Sequence, residues 1–161
     1  MRKAAAGLAL LALAACDPGD ALRGEPIPLA KCRDGAGSNR FVVENFYRRA
    51  LEQKQVRSAF EGYVSPTFVE HKPDVASGDR EGAIRFLEGL MAQVPQAQWR
   101  IVRIVADAEG VAVHATMTPA PGATAYVIAD FFRVADCRIV EHWDVVAGPP
   151  ASAANPLPRF R

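Results

Sequence analysis

The sequence predicts an α+β domain with its helices first and an antiparallel sheet after them. Two observations carry that expectation. In the first half of the chain, apolar residues recur at three- and four-residue spacing, whereas from Trp99 onward they fall into short runs rich in Val, Ile and aromatics. Turn formers at Ala108-Glu109-Gly110, Pro119 to Gly122 and Ala135-Asp136 separate those runs, so consecutive strands form a meander.

The elements follow in order. Ser38 is suited to cap a first amphipathic helix carrying Val43, Phe46, Tyr47, Ala50 and Leu51 on one face. Val56, Ala59, Phe60 and Tyr63 continue that pattern until Pro66, which should stop it, and a short second helix follows. Asp79 can cap a third helix whose apolar face is Ile84, Phe86, Leu87, Leu90 and Met91, ending near Pro95. Trp99 to Val105, Val111 to Met117, Ala125 to Val134 and Arg138 to Val146 are the predicted strands.

The N-terminus reads as an export signal. Arg2 and Lys3 precede an unbroken run of small or apolar residues from Ala4 to Ala15, too short to span a bilayer. Leu13-Ala14-Ala15-Cys16 resembles a lipobox, which implies cleavage before Cys16 and its lipidation. More than one acyl chain on that residue gives firm attachment. The expectation is therefore a signal peptide over 1–15, a lipidated Cys16 with a Pro/Gly-rich tether over 16–37, a domain over 38–147 and a Pro-rich tail over 148–161. This places the protein in a bacterial cell envelope, on the periplasmic or another extracytoplasmic face, touching membrane only through its lipid.

Removal of residues 1–15 leaves 146 residues (161 less 15), the size of one domain. It also leaves 17 basic residues (19 less Arg2 and Lys3) against 18 acidic, with neither sign clustered, which argues against a nucleic-acid partner.

Four stretches carry a family resemblance: Tyr63 to His71-Lys72-Pro73, the glycine-led helix around Gly78 and Gly82, Asp130-Phe131-Phe132-Arg133, and Ile139-Val140-Glu141-His142-Trp143-Asp144-Val145. Together they resemble the SnoaL-like polyketide cyclase family of the nuclear transport factor 2-like superfamily, over roughly residues 41 to 147. The resemblance implies a cone, with three N-terminal helices packed on a curved antiparallel sheet and one end open on an apolar cavity. One departure stands out. Relatives usually carry a glycine-containing turn before the last strand, where this chain has Asp136-Cys137-Arg138.

Strand alternation then sorts the ionisable residues, because residues two apart share a face. His114 goes with Thr116, Asp130 with Tyr126, Ile128 and Phe132, and His142 with Val140, Asp144 and Val146. These sets are assigned to the concave face, in part because the last strand resembles that of the epoxide hydrolases, whose aspartate falls at Asp144. His71 would enter from a loop between helices. The expected catalytic set is Asp130 as general base with His71 and His142, and the expected pocket adds His114, Asp144, Tyr126 and Tyr63. Alternatives remain open: Asp130 with Arg133 and Glu141 with Arg138 could be surface ion pairs, and His71 or His142 could be structural.

The resemblance implies a cofactor-free acid–base catalyst of aldol condensation or cyclisation, isomerisation or dehydration on a small apolar or carbonyl-bearing molecule. The alternative is a non-catalytic envelope module that binds a ligand or a protein. No metal is expected, since the three histidines lack the close spacing of zinc motifs. Two further expectations concern covalent and quaternary structure. With Cys16 lipidated, Cys32 and Cys137 remain as a candidate disulfide. Glu141 and Trp143, facing away from His142, point to a homodimer on the outer sheet face.

Overall fold

A computed structural model describes Pro26, Pro28 and residues 31–155. The expected signal segment 1–15, the lipidation residue Cys16 and most of the 16–37 tether lie outside the described residues, as does 156–161 of the tail. Among the described residues, no helix is long and apolar enough to cross a membrane.

Helix α1 (Ala36–Tyr47) runs without a break into one π-helical turn, Arg48–Glu52. It starts two residues before the expected cap. Gly35 occupies the N-cap position without a side-chain bond, while Ser38 turns its hydroxyl back to the Arg33 carbonyl. The wider π-turn keeps Ala50 and Leu51 in the core beyond Phe46 and Tyr47. Helix α2 (Val56–Tyr63) follows, and α3 (Arg80–Gln93) is capped as expected by Asp79, which accepts the Gly82 N–H at 2.7 Å.

The segment from Val64 to Glu70 corrects the sequence reading. It is strand β1, pairing parallel to the last strand at the edge of the sheet. Pro66 suggested a stop, but an edge strand tolerates proline where the ladder is interrupted. The register to the neighbour shifts between Val64 and Val69, the stretch that contains Pro66. The remaining strands are β2 (Gln98–Ala106), β3 (Gly110–Thr118), β4 (Tyr126–Ala135) and β5 (Arg138–Ala147), joined as the expected antiparallel meander. The sheet is thus mixed and five-stranded, in the order β1-β5-β4-β3-β2, with three helices packed on it. The α+β class holds.

Further irregularities in register, between Ile101 and Arg103 and between Arg133 and Val134, add local bends that curl a sheet. The helices fill the concave side. Phe46 sits edge-on to both Phe60, at 5.1 Å between ring centroids, and Phe132, at 6.1 Å.

Cys32 and Cys137 are bridged, with their Cα atoms 5.8 Å apart. Asp136 and Cys137 both have positive φ, 50° and 51°, as a two-residue hairpin between β4 and β5 requires. Asp34 Oδ1 accepts the Cys137 N–H at 3.2 Å, so the lead-in segment is held to this turn by a hydrogen bond as well as by sulfur.

Candidate active site

Between the helices and the concave face of the sheet lies a cavity of about 320 Å³. Its walls are mostly apolar, supplied by Phe46, Leu51, Phe60, Phe86, Leu90 and Trp99 among others. Alternation on β4 turns Tyr126, Ile128, Asp130 and Phe132 toward it, and β5 contributes Ile139, His142, Asp144 and Val146. Four of the expected site residues, Asp130, His142, Asp144 and Tyr126, therefore meet at one cavity.

The polar centre is a buried array of three side chains. His142 Nδ1 lies 2.9 Å from both oxygens of Glu70, and its Nε2 lies 3.2 Å from Asp130 Oδ1. Glu70 comes from β1 directly opposite His142, and Glu70 Oε1 also accepts the Lys72 N–H at 2.9 Å. Phe132 stacks on the imidazole at 4.8 Å. An ionised carboxylate only accepts, so satisfying both contacts requires a proton on each ring nitrogen and makes His142 an imidazolium. Burial alone would lower its pKa, but the hydrogen bonds and charges of Asp130 and Glu70 outweigh that and lift it to about 9.

This raised pKa predicts a pH dependence with a definite sign. A histidine whose folded pKa exceeds its unfolded value adds stability in full below the unfolded value and loses it as pH rises through the folded one. A displacement from 6.5 to about 9 is worth ~3 kcal/mol. Denaturant titrations should therefore show unfolding free energy falling by up to that amount between pH 6 and pH 9, and His142→Gln should lack the fall. Flat stability in the parent protein over that range would contradict the array.

A second ionic group sits beside the first. Lys72 Nζ donates to Asp144 Oδ2 at 2.7 Å and lies 3.4 Å from Asp74, with its ammonium 5.6 Å from the Phe86 ring centroid. Burial weakens the hold of Lys72 on its proton, but the bonds and charges of Asp144 and Asp74 more than compensate, so its pKa is raised.

Tyr47, from the last turn of α1, also lines the cavity. It is 1% exposed, and its hydroxyl has no partner at hydrogen-bonding geometry among the described residues. Burial first, then the neighbouring Asp130 carboxylate, push its pKa well above the usual phenol value, so it remains a donor.

Three expected site residues lie elsewhere. His71 is on the outer side, its ring stacked on Trp143 at 4.5 Å and its Nε2 3.1 Å from Glu141. The parallel β1 causes this, because placing Glu70 inward turns its neighbour His71 outward. His114 is on the convex face. Residues directly opposite in antiparallel strands share a face: Val113 faces Asp130 and is buried, whereas His114 faces Ala129. Tyr63 is packed in the core with Arg49 5.8 Å from its ring centroid, and it does not line the cavity.

A fourth correction concerns Val140, expected beside His142 on the concave face. The register slip skips it, so that Ile139 lines the cavity in its place. Glu141 does face outward, but it pairs with Arg133 and His71 rather than with Arg138.

Glu70, Lys72 and Tyr47 escaped the sequence reading. Glu70 would have followed from continuing the alternation of Phe68 past Pro66, whereas Tyr47 reads as one more apolar face residue of α1 and carries no separate signal.

Comparison with known proteins agrees with this architecture. No curated protein matches the sequence. Among solved structures, a candidate polyketide cyclase from Bacillus cereus is 17% identical, with 78% of this chain and 89% of that one covered at a TM-score of 0.62. A candidate SnoaL-like polyketide cyclase from Jannaschia is 19% identical, covering 69% and 86% at 0.59. AclR from Streptomyces galilaeus, a candidate hydroxylase, is 21% identical, covering 70% and 90% at 0.58. These likenesses establish the cone-shaped fold, and a fold by itself does not select a reaction. The model of the SnoaL-like domain matches residues 43–142, which include every strand position that lines the cavity except Asp144 and Val146, and every member of the Glu70–His142–Asp130 array, so the chain belongs to the SnoaL-like domain family.

Proposed function

We propose that the domain is a cofactor-free acid–base catalyst acting on a small, apolar, carbonyl-bearing molecule, of the aldol condensation or cyclisation, isomerisation or dehydration type. The observation that carries this reading is the buried Glu70–His142–Asp130 array opening on an apolar cavity large enough for a ligand. Asp130 is the general base. Its carboxylate takes a proton from the carbon beside the substrate carbonyl, and the electron pair passes to the carbonyl oxygen as an enolate. Return of that proton at another carbon gives isomerisation, and attack of the enolate on a second carbonyl of the same molecule gives ring closure. His142 holds Asp130 Oδ1 and leaves the other carboxylate oxygen outside that bond, while Glu70 fixes the imidazolium.

The test uses 2-acetylnaphthalene as probe in deuterium oxide, following loss of its methyl-ketone hydrogens by NMR. A catalyst accelerates exchange in proportion to its concentration. Binding without acceleration would instead favour the non-catalytic module, a reading supported by the way His142, Lys72 and the carboxylates already pair with one another.

The protein works at a membrane surface of the bacterial envelope. Arg2, Lys3, the Ala4 to Ala15 run and Cys16 support export and lipid anchoring, and a disulfide suits an oxidising compartment. Cys16→Ser should move it from the membrane fraction to the soluble one, and retention would refute the anchor. It is also a homodimer through the convex face, where Phe131, Trp143 and Val145 are exposed, with Phe131 and Trp143 directly opposite on neighbouring strands. Light scattering should give twice the chain mass, and a monomer at micromolar concentration would sink this part.

A further inference from the structure

The cavity is lined by one buried hydroxyl that no described residue meets at hydrogen-bonding geometry. The charged side chains of the site are paired with one another: Asp130 and Glu70 with His142, and Asp144 and Asp74 with Lys72. The Tyr47 hydroxyl is almost fully enclosed; the Asp130 carboxylate lies beside it, but no described residue meets it at hydrogen-bonding geometry. A buried donor without an acceptor is costly, and such groups are satisfied in nearly all native structures, so its acceptor is to be sought in what fills the cavity.

The charges lining the cavity restrict what that acceptor can be. Glu70, Asp74, Asp130 and Asp144 are four carboxylates, set against Lys72 and His142 as the two cations. The balance is negative with His142 fully protonated, and more so without its proton. Lys72 is not available to an anion, since it already spans Asp144 and Asp74. An acidic ligand would therefore meet like charge inside apolar walls, where Coulomb repulsion is poorly screened.

We propose that the Tyr47 hydroxyl holds the oxygen of the bound ligand, and that this ligand is an uncharged apolar molecule bearing a carbonyl or similar oxygen, not an acid. The inference rests on reading the cavity as the ligand site, and it adds both the residue that recognises the oxygen and the exclusion of anions. Tyr47 keeps its proton across the working range of pH, because burial and the Asp130 carboxylate both oppose its ionisation. It stands at the end of α1 beside Asp130 of β4, so that a ligand oxygen held by Tyr47 sits next to the carboxylate that acts as base.

Three matched probes separate the contributions: 2-acetylnaphthalene, 2-ethylnaphthalene and 2-naphthoate, with dissociation constants measured by calorimetry on the purified protein. The ketone should bind about tenfold tighter than the hydrocarbon, the worth of one buried hydrogen bond. The acid should bind at least about tenfold more weakly than the ketone. Tyr47→Phe should abolish the ketone's advantage while leaving the hydrocarbon's affinity in place. The variant should also unfold at the same temperature as the parent or a higher one, because the change removes a hydroxyl that the free protein leaves unsatisfied. A ketone preference that survives in Tyr47→Phe, a naphthoate affinity equal to the ketone's, or a clearly lowered unfolding temperature in the variant would each overturn the proposal. These readouts concern binding alone, so the proposal stands even if 2-acetylnaphthalene exchange is not accelerated, and it can fail while that catalysis holds.

Discussion

Asp130→Asn is expected to lower the rate of catalysed exchange or turnover by a factor of about 10²–10⁴, the usual worth of a positioned general base, while leaving ligand affinity within a small factor of the parent. The substitution keeps the shape of the side chain. Asparagine Oδ1 can still accept the Nε2–H of His142, so the contact now at 3.2 Å has no reason to break. What disappears is the group that can take a proton. The change also removes one of the two charges that hold His142 protonated, so the histidine should lose its proton at lower pH in the variant, and the alkaline loss of stability should begin earlier. The two effects come from the same carboxylate but are read independently, one by kinetics and one by denaturation. Full activity in Asp130→Asn would remove Asp130 from the base's role, and an unchanged stability profile would mean that Asp130 does little to keep His142 charged.

How much of this was legible in the sequence depended on which physical signal each residue carried. The helix spacing of α3 and its Asp79 cap are local, and both are present in the structure. The alternation of β4 is equally local, which is why Asp130 and Tyr126 could be placed on the concave face correctly. Signals that depend on pairing between strands were less visible. The inward turn of Ile139 in place of Val140 arises from a register slip against β4, and no local property of Ile139-Val140 announces it. On β3 the apolar character of Val111, Val113 and Ala115 marks the buried side, and His114 alternates with them onto the other face.

The largest loss came from Pro66. A proline strongly disfavours a central strand but is compatible with an irregular edge, and only tertiary context decides between the two. Reading that segment as a strand brings Glu70 to His142 and sends His71 outside, which replaces one expected member of the catalytic set with another residue. Tyr47 shows a different limit. A tyrosine on an apolar helix face has the same periodicity whether its hydroxyl is satisfied or not, so its distinction emerges only once the packing is known.

Reduction of the Cys32–Cys137 bridge is expected to lower the free energy of unfolding by as much as about 5 kcal/mol, the chain-entropy value for a closed loop of this length. The bridge joins residues 105 apart in sequence, so it constrains nearly the whole folded domain in its unfolded state. A loss of that size rivals the total stability of an ordinary domain, which is commonly about 5–15 kcal/mol. The turn makes the effect separable from simple side-chain loss. Cys137 sits at a φ of 51°, a conformation that glycine adopts freely and other residues adopt at a cost. Cys137→Gly should therefore recover roughly 1 kcal/mol relative to Cys137→Ala, since both lack the bridge and only one relieves the backbone. Cys137 is fully buried and its N–H is held by Asp34, so the lead-in segment should also become more accessible to protease in either variant. Equal unfolding free energies with and without reductant would show that the bridge adds no net stability, and Cys137→Ala matching Cys137→Gly would show that the turn relaxes away from positive φ once the sulfur is gone.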